Sequence, residues 1–375
     1  MPHRKIRRLV RRLDVPIGFA WAAASIGALA APGPVAAQGI FELVEVTEGV
    51  HATVVRDGVS PSAFANSLIV LRDDHVLVVD SRHSPSQSRE LIEQIRGLTD
   101  LPVRYLVNTH WHGDHVQGNQ AFREAFPELR IVGHTTAAED IASIGQRRLE
   151  DEISRLEVAI SERQRWLEAG ARDDGTALTE EEKTSLPGRI ERTETYVEEL
   201  RSLALTPPDL TVESRMDLPG APAVQVVPAG PAHTRGDLII WIPEIGLLAV
   251  GDLLEYGLPY LGDGFPAGWA RALGEILTID PAIYFPAHGP VLRDAELART
   301  EAAFFNRLVE QAREAVGRGQ TLEAGLEASD FSEFEPFFTR LIASGNEPER
   351  SEAYRAFVAA AFERAYEEAR DSAGG

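Results

Sequence analysis

The densest group of chemically capable side chains in this sequence lies at residues 109–115, Thr-His-Trp-His-Gly-Asp-His. Three imidazoles and one carboxylate occur within this segment, although the chain has only 10 histidines in 375 residues. Neutral imidazole and carboxylate are the ligands that zinc and similar divalent cations use when thiolate is absent. A polar loop that opens a helix would carry such a group only by chance. We therefore interpret the segment, called the histidine loop below, as a metal site.

The order of residues in the histidine loop is compatible with two neighbouring ions. In an extended loop, successive side chains alternate in direction, so His110 and His112 point the same way. Gly113 then permits a sharp turn of the backbone. After that turn, Asp114 and His115 are expected to face a second ion nearby.

Three further candidate ligands lie on loops at the ends of predicted strands. His233 precedes the strand-like segment 238–242, Asp252 ends an apolar run, and His288 follows the segment 283–285. Catalytic groups are often placed on loops at the edge of a rigid scaffold. The other histidines are isolated in the sequence, and we interpret them as structural: His3, His51, His75, His83 and His134.

The elements that must position these residues form two β-rich halves. In the first half, apolar alternation predicts strands at 50–56 and 66–80, the second a hairpin that turns at Asp73 and Asp74. The segment 101–108 is typical of a buried strand and runs directly into the histidine loop. The remaining predictions are helices at 86–97 and about 115–126, and strands at 130–133, 210–218, 223–228, 237–242, 246–250 and 283–285, with a helix at about 268–278.

Residues 136–205 differ from both halves because apolar residues recur there at helical spacing among many charges. Two such runs are separated by the polar segment 170–180, which indicates a helical hairpin inserted into the main domain. A solvated structural excursion is favoured over a functional coiled coil. The main domain is expected at 41–295, followed by a helical, acidic C-terminal extension at 296–375. Two β-rich halves with interspersed helices predict an α/β fold of four layers, with sheets inside and helices outside.

The composition indicates an acidic globular protein. Hydrophobic residues make up 44% of the chain, and the formal net charge is −21. This charge disfavours nucleic acid and anionic lipid as main partners, and it indicates solubility more than any particular substrate. A small-molecule substrate is expected instead from the chemistry of the metal site described below. The chain has no cysteine. Disulfides are therefore excluded, and any metal must be held by imidazole and carboxylate groups.

Residues 1–37 have the pattern of a secretory signal peptide. A basic start is followed by an apolar run at 15–31 and by small residues at 35–37, Val-Ala-Ala. Proline and glycine interrupt the apolar run, which disfavours a retained membrane anchor. We expect cleavage after Ala37, leaving a periplasmic or secreted protein with no stable membrane anchor.

Taken together, the motifs resemble the metallo-β-lactamase superfamily over about residues 45–295, apart from the helical insert. The shared features are the HxHxDH loop, a later single histidine, the Gly-Asp strand end at Asp252, and a final histidine before Gly289. The segment 78–81, Val-Val-Asp-Ser, is similar to the early aspartate strand of that family. Ala287 stands where many relatives have glycine, which is a small departure. The resemblance implies an αββα sandwich.

The resemblance also implies a binuclear site for two Zn²⁺ ions, or for other divalent metals. One ion would be held by His110, His112 and His233, and the other by Asp114, His115 and His288, with Asp252 bridging them. Asp80 would hold the histidine loop without touching metal. Asp114 would also be the catalytic proton carrier.

The activity implied is hydrolysis. A hydroxide shared by two ions, with its pKa lowered to about 7, would attack a carbonyl carbon without any side-chain nucleophile. We expect cleavage of an ester, thioester, lactone or amide bond. A β-lactam is a specific case, but Asp252 counts against it, because lactam-cleaving branches usually carry cysteine or serine near that position.

Two alternatives stay open. An iron-dependent oxidoreductase similar to persulfide dioxygenases would use one metal, and the full second ligand set that includes His288 disfavours it. A non-catalytic metal-binding protein is disfavoured because the ligand set is complete.

Aromatic residues near the predicted ligands are candidate substrate contacts. Trp111 lies within the histidine loop, and Tyr256 and Tyr260 follow Asp252 on a glycine-rich loop. Aromatic side chains beside a metal cleft often shape it for apolar substrates. Ordinary core packing explains the same residues equally well. The segment 57–64 is a candidate flap over the site.

Overall fold

The computed structural model describes residues 39–56 and 64–374. The predicted signal peptide and all but the last residue of the candidate flap lie outside the described residues. Within the described ranges, no helix combines the length and apolar character that crossing a bilayer would require.

The first half of the chain forms a seven-stranded sheet whose strands are neighbours in chain order. The first four strands pair antiparallel, and the fourth to the seventh pair parallel. Every residue of the fourth strand is buried, as expected for a strand covered on both faces. The strands are β1 (Phe41–Thr47), β2 (Val50–Val55), β3 (Ser67–Leu71), β4 (Val76–Val79), β5 (Val103–Val107), β6 (Arg130–His134) and β7 (Leu210–Val212).

The second half forms a five-stranded sheet with the order β12-β11-β10-β9-β8. Its strands are β8 (Met216–Leu218), β9 (Val224–Gly230), β10 (Asp237–Ile242), β11 (Leu247–Glu255) and β12 (Ile283–His288). Only the pair β11–β12 is parallel among these strands. The prediction of one strand at 210–218 is wrong, because the chain leaves the first sheet after Val212 and enters the second at Met216. Apolar and polar residues alternate over most of 210–218, so the sequence pattern does not show where the chain crosses to the second sheet.

The helices are α1 (Pro85–Leu98), α2 (Gly113–Val116), α3 (Asn119–Ala125), α4 (Thr135–Asp140), α5 (Gln146–Ala169), α6 (Glu180–Ser202), α7 (Pro266–Ile279), α8 (Glu296–Gly317), α9 (Leu322–Ala328), α10 (Glu335–Leu341) and α11 (Glu347–Gly374). The single helix predicted at about 115–126 is wrong, since it is divided into α2 and α3. A Cβ atom at Gly118, between the two, would lie 1.8 Å from Ser88 Oγ and 2.0 Å from the Ser81 carbonyl oxygen. The lack of a side chain at Gly118 therefore allows α1 and the loop after β4 to lie against the backbone between α2 and α3.

The two sheets pack face to face with helices on both outer surfaces. Apolar residues of both sheets, such as Val79, Val107 and Ile240, share one buried cluster between them. Helices α1 and α3 cover the outer face of the first sheet through residues such as Leu91 and Phe122. Helices α7 and α8 cover the second sheet together with the C-terminal helices. The predicted four-layer α/β fold is confirmed.

A helical hairpin of α5 and α6 lies between β6 and β7 in the chain, and is called the insert below. The two helices pack through their own apolar cluster, which includes Leu149, Leu156, Ile190 and Val197. The insert therefore has a small core of its own. The C-terminal extension differs, because its aromatic side chains belong to the cluster that covers the second sheet.

Candidate metal centre

The histidine loop follows β5 at the edge where β4 and β5 end side by side. The two strands are parallel, so their carboxyl ends bring Asp80 and Thr109 to the same place. Asp80 accepts hydrogen bonds from the backbone N–H and the hydroxyl of Thr109, each at 2.8 Å. The end of β4 thereby fixes the path of the loop.

The turn within the loop is the start of a helix. Helix α2 begins at Gly113 and carries Asp114 and His115 in its single turn. The chain makes the predicted turn at Gly113, and it does so without a left-handed backbone at that residue. A Cβ atom there would lie 2.7 Å from Nε2 of the flexible Gln117 side chain, so a larger residue would require that side chain to move.

The structure brings all the predicted ligands together in two neighbouring groups. Within each group, every residue offers a ligand atom that lies within 4.8 Å of the others. The first group contains His110, His112, His233 and Asp252, and the second contains Asp114, His115 and His288.

Asp252 lies between the two groups. Its Oδ2 is 3.6 Å from His110 Nε2 and 3.5 Å from His233 Nε2 in the first group. The same oxygen is 3.4 Å from His115 Nε2 and 3.5 Å from His288 Nε2 in the second. One carboxylate oxygen can therefore serve both groups.

The chemistry of these atoms fits divalent cations. His110 Nε2, His115 Nε2 and Asp252 Oδ1 are buried and have no hydrogen-bond partner among the described residues. A buried polar atom left unsatisfied costs about 1–3 kcal/mol, so such atoms usually have a function or a ligand. Converging imidazole and carboxylate lone pairs suit zinc in the absence of thiolate.

Carboxylates orient two of the histidine rings from behind. His115 Nδ1 lies 2.9 Å from Asp80 Oδ2, which leaves Nε2 directed to the ligand groups. His112 Nε2 lies 3.0 Å from Asp263 Oδ2, which leaves its Nδ1 facing His233 Nε2 at 3.0 Å. Metal-binding histidines commonly donate their second ring N–H to such a carboxylate. Asp80 could be predicted from the sequence, but Asp263 was not, because its only signal is an acidic residue between two glycines after Asp252.

Two buried glutamates that were not predicted from the sequence, Glu255 and Glu301, lie behind His233. Glu255 Oε1 is 3.6 Å from His233 Nδ1, and the Glu255 backbone N–H donates to Glu301 Oε1 at 3.3 Å. Burial raises the pKa of Glu255 to about 8. Burial, with the neighbouring Glu255 carboxyl, raises the pKa of Glu301 well above its usual range.

Both imidazoles of the second ligand group have strongly raised pKa values. Burial opposes the charged form of His115 and His288, but Asp114 and Asp252 outweigh it and raise the pKa of both imidazoles well above the usual value. In the first group, burial lowers the pKa of His233 to about 3. Cation binding would displace the protons held in the second group.

His288 is held at the end of β12 by a residue from the first sheet. The Asn66 backbone N–H donates to the Ala287 carbonyl oxygen at 2.7 Å. Its side-chain Nδ2 donates to the Gly289 carbonyl oxygen at 2.8 Å. These bonds connect the start of β3 to both sides of His288.

The predicted substrate contacts have different environments. Trp111 is 3% exposed and packs against Val116, Ala137 and Ile141, as a core residue does. The half-buried Tyr260 ring lies 5.7 Å from the His112 ring, next to the first ligand group. Tyr256, also half-buried, packs against the core that covers the second sheet.

The fold and the site together define a candidate histidine–aspartate metal centre at the edge of an αββα sandwich. A model of the metallo-beta-lactamase superfamily matches residues 62–288, which includes every predicted ligand. The chain belongs to the metallo-β-lactamase superfamily.

Individual relatives are distant. A linear primary-alkylsulfatase from a Pseudomonas strain is 23% identical over 225 residues, which are 57% of this chain and 39% of that protein. The chain thus spans less than half of that relative. The structure of a metallo-β-lactamase from Pontibacter korlensis has a TM-score of 0.50 at 16% identity, covering 71% of this chain and 99% of that one. The mono-zinc form of FIM-1 from Pseudomonas aeruginosa has a TM-score of 0.49 at 18% identity, covering 72% and 96%. At such identity, the first likeness shows the fold alone.

Proposed function

We propose that this chain is an exported hydrolase that binds two zinc ions and cleaves an ester, thioester, lactone or amide bond. The observation that carries the proposal is the position of Asp252 Oδ2, within 3.6 Å of imidazole nitrogens from both ligand groups. The unpartnered, buried ligand atoms support it further.

The ligand assignment follows the two groups. His110, His112 and His233 would hold one ion, Asp114, His115 and His288 the other, and Asp252 would lie between them. Bound zinc would supply a water of lowered pKa as nucleophile and a Lewis acid for the scissile carbonyl.

Asp114 is the ligand-set carboxylate best placed to move a proton. Its side chain is 23% exposed, whereas that of Asp252 is 6% exposed. Burial acts to raise the pKa of Asp114, but the hydrogen bonds and charges of His115 and His288 hold it well below the usual value. Asp114 is therefore a carboxylate before reaction, able to accept a proton and pass it to the leaving group.

A second candidate is hydrolysis of a primary alkyl sulfate. The alkylsulfatase relative favours it, because their similarity extends over 225 residues. Sulfate release from a linear alkyl sulfate, measured beside lactam, lactone and thioester hydrolysis, distinguishes the two candidates.

Metal counting on the purified protein tests the class of reaction. Two zinc ions per chain, with turnover abolished by a chelator and restored by zinc, are expected. One iron per chain with oxygen consumption would contradict the proposal in favour of an oxidoreductase. Bound metal without turnover of any substrate would favour a non-catalytic metal-binding protein.

The variant His112→Ala tests the site itself. We expect turnover to fall by more than about 100-fold, beyond the loss typical of a substitution behind the ligands. Zinc content should also fall, while the far-ultraviolet circular dichroism is retained because His112 is only half-buried. His51→Ala on β2 is the matched control and should keep both zinc and turnover. Unchanged turnover in His112→Ala would exclude this site.

Export is tested by expressing the full chain in a Gram-negative bacterium and fractionating the cells. We expect a periplasmic or secreted protein whose first residue is Gln38. A cytoplasmic protein that retains Met1 would contradict export.

A further inference from the structure

The insert contacts the metal centre through Arg148, in the first turn of α5. Arg148 Nη2 donates to both carboxylate oxygens of Asp263, each at 2.8 Å. Its Nη1 donates to the Tyr260 hydroxyl at 3.4 Å. The guanidinium group also lies over the Trp111 ring, 5.1 Å from the centroid, in the geometry of a cation–π contact.

Asp263 in turn determines which ring nitrogen of His112 carries a hydrogen. A carboxylate can only accept hydrogen bonds, so its contact with His112 Nε2 at 3.0 Å places the ring hydrogen on Nε2. In this tautomer the lone pair is on His112 Nδ1, which lies 3.0 Å from His233 Nε2 of the first ligand group. Asp263 lies in the loop between β11 and α7, outside any helix or strand, and Arg148 supplies its two shortest side-chain hydrogen bonds.

The insert also contacts the loop after β4 and the start of α1. Glu199 of α6 accepts a hydrogen bond from Ser86 Oγ at the start of α1, at 2.9 Å. Glu152 of α5 lies 3.5 Å from His83 Nε2, in the loop after β4, and accepts from the Tyr196 hydroxyl at 3.0 Å. The insert therefore connects the loop after β4 with the loop after β11, and both loops support ligand histidines.

We propose that the insert is a working part of the metal centre, in which Arg148 is a positioning residue that holds Asp263 and, through it, the ring of His112. The geometry assigns to the insert the orientation of one ligand of the first group. This inference rests on the proposed metal site, and extends it to a segment that the sequence indicated was a structural excursion.

The test compares Arg148→Ala and Arg148→Lys with Arg165→Ala in the full-length protein. Arg165 is also on α5 and forms an exposed ion pair with Asp173 at 3.6 Å, far along the helix from Arg148. Zinc affinity is measured by competition with a chromogenic chelator. Nitrogen NMR of the histidine rings in metal-free protein reports the tautomer of His112, and Asp263→Ala identifies its signal.

We expect Arg148→Ala to weaken binding of one zinc ion about 10- to 100-fold, the usual range for a substitution behind a ligand. The other ion should be retained. The His112 ring should lose its pure Nε2–H form in metal-free protein. Arg148→Lys should recover part of both losses, since it keeps the charge without the guanidinium geometry. Arg165→Ala should match the unsubstituted protein.

Equal zinc affinity and equal His112 spectra in Arg148→Ala and Arg165→Ala would overturn the inference. If Arg148→Ala does not fold, Arg148→Lys and Asp263→Asn give the same comparison. An unsubstituted protein that binds no zinc would refute the proposed function, whereas the NMR experiment would still decide whether Arg148 controls the His112 ring.

Discussion

Asp80 and Asp263 each orient a histidine ring, but they differ in burial and in the part of the chain that holds them. Each carboxylate orients a histidine of the same loop, His115 in one case and His112 in the other. Asp80 is 1% exposed, follows a central strand, and also holds Thr109. The Asp263 side chain is 22% exposed, lies on a loop, and is held by Arg148 of the insert.

The difference shows two ways in which a fold can support a ligand. Asp80 is placed by strand order, and buried hydrogen-bond donors replace its hydration. Asp263 is placed by a charge partner from a separate segment. Burial acts to raise its pKa, but the His112 hydrogen bond and the Arg148 charge outweigh it and hold the value at about 2. We therefore expect substitution of Asp80 to lower mainly the free energy of unfolding, and substitution of Asp263 to lower mainly the metal affinity.

The variant Asp80→Ala should have the largest effect. It leaves the Thr109 N–H, the Thr109 hydroxyl and the His115 N–H without their acceptor, so the free energy of unfolding should fall by about 4 kcal/mol. Asp80 has a left-handed backbone, φ 61°, which asparagine tolerates, so Asp80→Asn should lose less. Asp263→Ala should cost about 1 kcal/mol. Urea unfolding of metal-free protein measures all three, and equal losses for Asp80→Ala and Asp263→Ala would contradict the distinction.

Glu301 is a third carboxyl group, fully buried, and it has no cationic partner among the described residues. Because its pKa is raised above the ordinary 4.5, it contributes stability below that pH and loses it as pH rises toward the folded-state pKa. Glu301→Gln stays neutral and keeps an acceptor for the Glu255 N–H. We expect the variant to match the unsubstituted protein near pH 4 and to exceed its free energy of unfolding by about 1.4 kcal/mol at pH 5.5. A difference that does not change with pH would show that Glu301 is charged in the fold.

Arg201→Ala should have the smallest effect. Arg201 of α6 pairs with Glu157 of α5 across the insert, but both side chains are more than 40% exposed. Exposed ion pairs usually contribute less than about 1 kcal/mol. The midpoint temperature of thermal unfolding should therefore fall by only a few degrees, and zinc affinity should not change. A loss as large as that of Asp80→Ala would mean that the insert determines the stability of the whole domain.

The sequence was sufficient to predict which residues meet at the candidate metal centre. The clustered histidines at 110–115 follow a recognisable apolar strand, and His233, Asp252 and His288 each follow or precede one. Asp80 could be predicted because it ends β4, the strand that pairs with β5. Hydrophobic patterns reveal such strands, but the predicted loop position is wrong for Asp252, which lies within β11, and for His288, which is the last residue of β12.

The residues that support the ligands were largely not predictable. Arg148 is one of 37 Lys and Arg residues, and in a charged helix it has the pattern of a solvated face. Its contact with Asp263 joins positions 115 residues apart. Glu301 is likewise on a helix far from Glu255 in the chain. Such contacts depend on how elements dock, which no local pattern encodes.

The bonds that Asn66 makes on both sides of His288 join two parts of the chain that are 220 residues or more apart. Each ligand group likewise takes residues from both halves of the chain. His110 to His115 follow β5 of the first sheet, whereas His233 lies between β9 and β10, and Asp252 and His288 lie in β11 and β12 of the second sheet. Cation binding would therefore act as a cross-link between the sheets, adding its binding free energy to the cooperative unfolding of the whole sandwich. Separation of the two sheets would therefore also release any cation held between them.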